Sequence, residues 1–345
     1  MFKDIQALRF FAIFFVIFLH LAIILPDNHT YGILRSFSNT DSGVELFFVI
    51  AGFFLSHTLE KTKDITSKSD KIVYLLKLYI KKLKRLSPPV YFWIFIPLIF
   101  SIITRNSDLW LPYNLMIEKF FSSIVWLRNF EEIGTEGNFG YMWALSLEMQ
   151  FFIVYPLLFL MLGRKKTILI SVVLCLMMTF YRPFGGPAWM FRFDPMLYGA
   201  LLYYLVKSFD LNKLANEEFK INKLHKIIIS LTLIISLAVI PAALSHVWTF
   251  RFSCASFLSS ICVLLAVMEI NFFTSFPDRI NKVIYYIGDR SFSLFCCHIP
   301  VWFMVFQFSQ GHQIPALYRV ITQVILMFVF AELTYRFLEK PFKKS

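Results

Sequence analysis

The sequence predicts an all-α fold, a polytopic membrane helix bundle of about ten transmembrane helices with N- and C-termini cytoplasmic. Three observations carry this. Of the 345 residues, 58% are hydrophobic and 42 are Phe, and the mean hydropathy is +0.64, beyond the range of a soluble globule. The apolar residues gather into runs suited to a hydrocarbon core of ~30 Å. And 26 of the 34 Lys and Arg fall in alternate connecting segments, the pattern of cytoplasmic loops. The net charge of +12 therefore reads as a topology signal, and no nucleic-acid partner is expected. The five cysteines, Cys175, Cys254, Cys262, Cys296 and Cys297, lie in apolar runs without zinc-site or disulfide-framework spacing. They read as packing residues, and no metal is expected.

The first apolar run, Ala7 to Leu25, is too long for a cleavable signal and lacks a small-residue cleavage site behind it. An outer loop to about Asp41 leads into the second span, Ser42 to Leu59, and then a basic segment, Glu60 to Arg85. The third span, Leu86 to Thr104, is expected to open with Pro88 and Pro89, which are tolerated where a helix begins. The loop from Arg105 to Tyr141 holds a half-apolar piece, Met116 to Leu127, that reads as interfacial or re-entrant. Seven further spans follow: Trp143 to Leu162, Thr167 to Tyr181, Phe193 to Val206, Ile227 to Leu244, Phe252 to Ile270, Gly288 to Phe308 and Ala316 to Leu338. An even number places both ends on one side. The inner segments hold Lys3 and Arg9, the stretches Lys61 to Arg85, Arg164 to Lys166, Lys207 to Lys226 and Arg279 to Arg290, and the tail from Arg336 to Lys344. Without internal repeats, low-complexity stretches or flexible linkers, residues 1–345 are expected to form a single membrane domain.

The first run carries only Arg9 and His20 as ionisable groups, eleven residues apart. Eleven helical steps return to within ~20° of the starting direction and rise ~16 Å, so the two side chains share a face at different depths. Ionisable groups inside a membrane usually face the protein interior and mark function. The bland alternative has Arg9 reaching the headgroups and His20 bonding a neighbouring helix.

Counting depth along each span places His20, Glu45, Ser146, Glu148, Arg192, Asp194 and His298 in an outer layer. Arg9, the run Lys81 to Arg85, Arg290 and Lys340 fall in an inner layer. The inner cations suit a phosphate-bearing molecule, and the outer His and Glu suit acid–base work. Coenzyme A fits: phosphates at one end, a thioester at the end of a flexible arm. In that reading Glu45, Trp143, Ser146, Arg192 and His298 are candidates for contacting the acceptor. The alternatives are helix-packing bonds, pure topology signals, or a conduction or transport path.

Six stretches, in order, resemble the integral-membrane acyltransferase family 3, bacterial acyltransferases of extracytoplasmic glycans. They are DIQALRFFAIFFVIFLH, GVELFFVIAGFFLS, KKLKRLSPPVY, MWALSLEMQFF, GDRSFSLFCCHIPV and YRFLEKPF. The resemblance implies a multi-pass protein of the bacterial inner (cytoplasmic) membrane that transfers an acyl group, usually acetyl, from cytoplasmic acetyl-CoA to a sugar hydroxyl. The expected partners are therefore acetyl-CoA, a lipid-linked or surface glycan such as an O-antigen or capsule unit, and membrane lipids. By the same resemblance Arg9 and His20 take the family's Arg and His, and Glu148 the acid of its fourth motif. Lys81, Lys82 and Arg85 take the basic segment, with Arg9 joining them in holding the donor. His20 would act as general base or transient nucleophile, with Glu148 orienting the imidazole or the sugar. The departures are Ala51 where a Ser is frequent, Tyr141 or Gly140 where a polar residue is frequent, and lysines for arginines at Lys81 and Lys82. Lys keeps the charge but not the bidentate fork. With the sequence ending at Ser345 and no soluble esterase-like domain in it, acceptor handling is expected to fall to the membrane domain or a separate partner.

Overall fold

The computed structural model describes residues 3–26, 28–104, 109–130, 137–182, 186–209 and 221–343. Of the basic residues placed above in connecting segments, Arg105, Lys213, Lys220 and Lys344 lie outside the described residues. The elements are helices throughout: α1 Lys3–His20, α2 His29–Ser36, α3 Ser42–Glu60, α4 Lys68–Thr104, α5 Tyr113–Ile124, α6 Met142–Phe180, α7 Pro187–Met190 and α8 Asp194–Phe209. They continue with α9 Lys223–Ala243, α10 Trp248–Val267, α11 Asp278–Asp289, α12 Ser291–Ser309, α13 Ala316–Thr334, a π-helical turn Tyr335–Glu339 and α14 Lys340–Lys343. Eight helical stretches among the described residues are long and apolar enough to cross a membrane, and the protein is a multi-pass membrane protein.

One segment boundary matches expectation at a break in the backbone, and one differs. Spans four and five are the two parts of α6, which Gly163 breaks, between the expected ends Leu162 and Thr167, with φ 74° and ψ 170°, values outside the helical region. The third span does not begin at Pro88: α4 runs without interruption from Lys68, with Pro88, Pro89 and Pro97 inside it. Each proline removes one backbone bond, but apolar residues at helical spacing from Ile72 to Leu86 already commit the basic segment to a helix. At 37 residues and ~1.5 Å per residue, α4 is longer than a bilayer core is thick.

The chain divides into two compact units. The first comprises Met1–Leu19, Asp27–Lys71 and Phe151–Ser291. Here α3 and α8 touch backbone to backbone. A Cβ added to Gly52 would lie 1.8 Å from the Met196 carbonyl oxygen, and one added to Gly199 would lie 2.0 Å from that of Val49. In lipid, where apolar burial drives no helix association, such close approach is a main source of packing energy. Replacing Gly52 by Leu is therefore expected to abolish accumulation of folded protein, measured as the monodisperse fraction after detergent extraction. Polar bonds add to the packing: Ser42 Oγ donates to the Leu237 carbonyl at 2.6 Å, and Ser230 Oγ to that of Phe272 at 2.8 Å. The Asp4 carboxylate accepts from the Phe272 N–H at 2.8 Å and from the Thr274 hydroxyl at 2.6 Å, which ties the start of α1 to the segment between α10 and α11.

The second unit comprises His20–Pro26, Ile72–Gln150 and Phe292–Ser345. The half-apolar piece of the long loop is α5, twelve residues lying antiparallel along α4. Leu111 accepts from Ser101 Oγ, the Phe120 and Phe95 rings meet at 4.8 Å, and Ile124 accepts from the Tyr91 hydroxyl. At ~18 Å it is too short to cross the membrane. On another face of α4, Trp93 Nε1 donates to Thr334 Oγ1 of α13 at 2.9 Å, and Gln323 Nε2 joins α13 to the Trp302 carbonyl of α12.

Candidate active site

In the second unit the structure brings together two residues 278 positions apart. His20 Nδ1 and His298 Nε2 lie 3.2 Å from each other, with ring centroids 5.0 Å apart. His20 is the last residue of α1, which gives way there to a 3₁₀ turn, Leu21–Ile23. The helix's final carbonyls would otherwise lack partners. The Tyr31 hydroxyl reaches those of Phe18 and Leu19, at 3.0 and 3.1 Å.

His298 is fully buried on α12. Its Nδ1 lies 3.1 Å from the Leu294 carbonyl oxygen and 2.9 Å from that of Phe295, one turn back on the same helix. Both ring nitrogens thus meet protein groups. The rings of Tyr141, Trp302 and Phe295 surround it at 5.5, 5.6 and 6.0 Å, the first two edge-on.

Pro300 explains how Tyr141 is held. Lacking an N–H, it cannot bond the Cys296 carbonyl four residues back. The Tyr141 hydroxyl donates to that carbonyl at 3.0 Å instead. Sequence reasoning left Tyr141 without a role. The signal available was its position just before the Trp143 motif, together with a proline two residues after His298.

Glu148 and Lys82, assigned above to opposite layers, meet: Lys82 Nζ lies 2.7 Å from Glu148 Oε1, with side chains 15% and 21% exposed. The two-layer picture is corrected here. Depth counted from each span's own start cannot hold for both, because α4 begins eighteen residues before the expected span and the sequence does not record helix heights. The Glu148 carboxylate is engaged by a lysine, and the imidazole that meets the His20 ring is His298. For the pair, Lys82→Met and Glu148→Gln are each expected to cost about 1–2 kcal/mol of stability. A double-mutant cycle in thermal unfolding should show the double variant costing no more than either single one.

Of the other expected residues in this unit, Lys81 is exposed, while Trp143 and Arg85 are half-buried. The Arg85 Nε is buried without a hydrogen-bond partner among the described residues. Ser146 is fully buried, and its Oγ accepts from the Arg128 backbone N–H at 3.3 Å.

Arg9, Glu45 and Arg192 belong to the first unit. Arg9 is half-buried on α1. Glu45 is buried on α3, with its Oε2 3.4 Å from Ser256 Oγ. The Arg192 guanidinium stacks 3.8 Å from the Trp189 ring centroid. Sequence reasoning missed the ion pair beside them, Arg182 with Asp194, both side chains without exposure. Arg251 pairs with Asp41 at 3.3 Å. The guanidinium groups of Arg182, Arg192 and Arg251 lie 5.3, 5.9 and 4.7 Å from the one ring of Phe252. Among the described residues, no three His, Cys, Asp or Glu side chains are grouped to hold a metal.

Fold and site together define a polytopic membrane protein with two histidines in contact among its helices. Residues 2–334 match the family model described as "Acyltransferase domain", and the chain belongs to that family. It is 28% identical over 331 residues to the O-acetyltransferase OatA of Staphylococcus aureus, from strains NCTC 8325 / PS 47 and COL, covering 88% of this chain and 52% of each relative. A protein of strain COL with the provisional name of O-acetyltransferase is 28% identical over 325 residues, with the same coverage. The chain thus spans about half the length of these curated relatives. No solved structure matches it.

Proposed function

We propose that this protein is a membrane-bound O-acetyltransferase of the bacterial inner membrane. It takes acetyl from cytoplasmic acetyl-CoA and places it on a sugar hydroxyl of an extracytoplasmic glycan, such as a lipid-linked O-antigen or capsule unit. The observation that carries this reading is the contact of His20 with a buried second histidine, in a chain that matches the acyltransferase family over residues 2–334. The name of OatA, an O-acetyltransferase, supports acetyl as the group transferred.

In the proposed reaction the acceptor oxygen attacks the thioester carbonyl. The new ester C–O bond forms, the C–S bond breaks, and the hydroxyl proton passes by way of His20 to the departing thiolate. His20 serves as the base, or first takes the acetyl group on the same nitrogen. Lys81, Lys82 and Arg85 of the second unit are the proposed cations for the donor's phosphates. Trp143, in the same unit as His20, is a proposed acceptor contact.

Mass spectrometry of surface glycans from cells with and without the protein tests the proposal. Acetyl groups present only in cells that make it are expected. Identical glycans in both, with the protein verified in the membrane, would refute the glycan reading.

A further inference from the structure

We propose that His298 is the positioning residue that fixes which nitrogen of His20 reacts: it holds His20 as the Nδ1–H tautomer, so that Nε2 is the unprotonated nitrogen that meets the acceptor hydroxyl or the acetyl group. This rests on the reading of His20 as the acid–base residue and adds the arrangement that prepares it.

The argument is one of hydrogen-bond roles. A neutral imidazole has one N–H donor and one acceptor nitrogen. The His298 Nδ1 faces the carbonyl oxygens of Leu294 and Phe295, which are acceptors only, so Nδ1 carries the proton. Its Nε2 is then an acceptor, and the group 3.2 Å away, His20 Nδ1, must donate. The proton of a neutral His20 therefore sits on Nδ1, and the lone pair is on Nε2. The alternative, an imidazolium at His298 donating from both nitrogens, would place a charge on a fully buried ring among Tyr141, Phe295 and Trp302, an expensive burial.

The orientation has its own support. Pro300 releases the Cys296 carbonyl, Tyr141 binds it, and the Tyr141 and Trp302 rings clamp the imidazole edge-on. His298 thus plays for His20 the part that a buried carboxylate plays in many acid–base sites: it selects the tautomer and aims the ring. A neutral acceptor does this without adding a charge to the membrane interior.

The test uses the full chain in lipid nanodiscs, labelled with 15N-histidine, with the His20 signals assigned by difference from His20→Ala. The expected spectrum shows His20 protonated at Nδ1 and bare at Nε2. In cells, at equal membrane abundance, His298→Leu is expected to lower glycan O-acetylation on the order of 100-fold, as loss of an orienting partner does. His298→Gln, whose Oε1 can stand in for the Nε2 acceptor, should recover at least ~10-fold of that loss. A proton on His20 Nε2 in the unsubstituted protein would overturn the proposal, as would equal activity of the Leu and Gln variants. Should the Leu variant fail to accumulate, the spectra of the unsubstituted protein and of His298→Gln still decide. Full acetylation by His20→Ala would defeat the function proposed above instead, a result distinct from any tautomer the spectrum reports.

Discussion

Replacing His20 by Ala is expected to reduce glycan O-acetylation on the order of 1,000-fold, the scale set by removing a positioned base together with the orientation its partner imposes. Protein level should be unaffected to first order, because His20 is half-buried at the end of α1 and the last carbonyls of that helix are bound by Tyr31. The measurement is alkali-released acetate from surface glycans, normalised to the amount of protein in the membrane. Acetyl-CoA binding, measured by calorimetry on the purified variant, should persist, since the donor's phosphates are assigned to the cationic residues. Full acetylation in this variant would remove His20 from the chemistry.

The second large effect is on stability. Arg182→Met is expected to cost about 3–5 kcal/mol, because it leaves the Asp194 carboxylate in a buried site without its partner. The Asp194 Oδ1 already has no hydrogen-bond partner among the described residues, so little is available to compensate. Arg182→Met combined with Asp194→Leu should recover most of the loss, since removing both charges removes the desolvation cost as well. Thermal unfolding of the purified variants reads this directly. An Arg182→Met protein as stable as the unsubstituted one would show that the pair contributes nothing to the fold.

Much of the architecture was legible along the chain. The apolar runs became helices, and the half-apolar Met116 to Leu127 stretch became the short α5 beside α4. Misplaced was the start of α4, where local rules about proline and charged loops competed with strong helical patterning on either side; the division of α6 at Gly163 fell where the sequence put it. In the site, His20 was legible because it shares a helix with Arg9. Tyr141, Arg182 and Asp194 were not assigned partners, because each meets its partner through the fold: Tyr141 and Cys296 are 155 residues apart.

What the sequence by itself determined is what a single helix can express: the membrane-crossing character of the chain, the placing of Arg9 and His20 on one helix, and membership of the acyltransferase family. Only the tertiary structure decided which polar groups meet. It joined His20 to His298, paired Lys82 with Glu148 across two assumed layers, and closed Arg182 on Asp194. The physical reason is that such pairings depend on the relative height and rotation of helices. In a membrane these are set by close packing at small residues and by polar bonds between helices, and neither leaves a periodic trace along the chain.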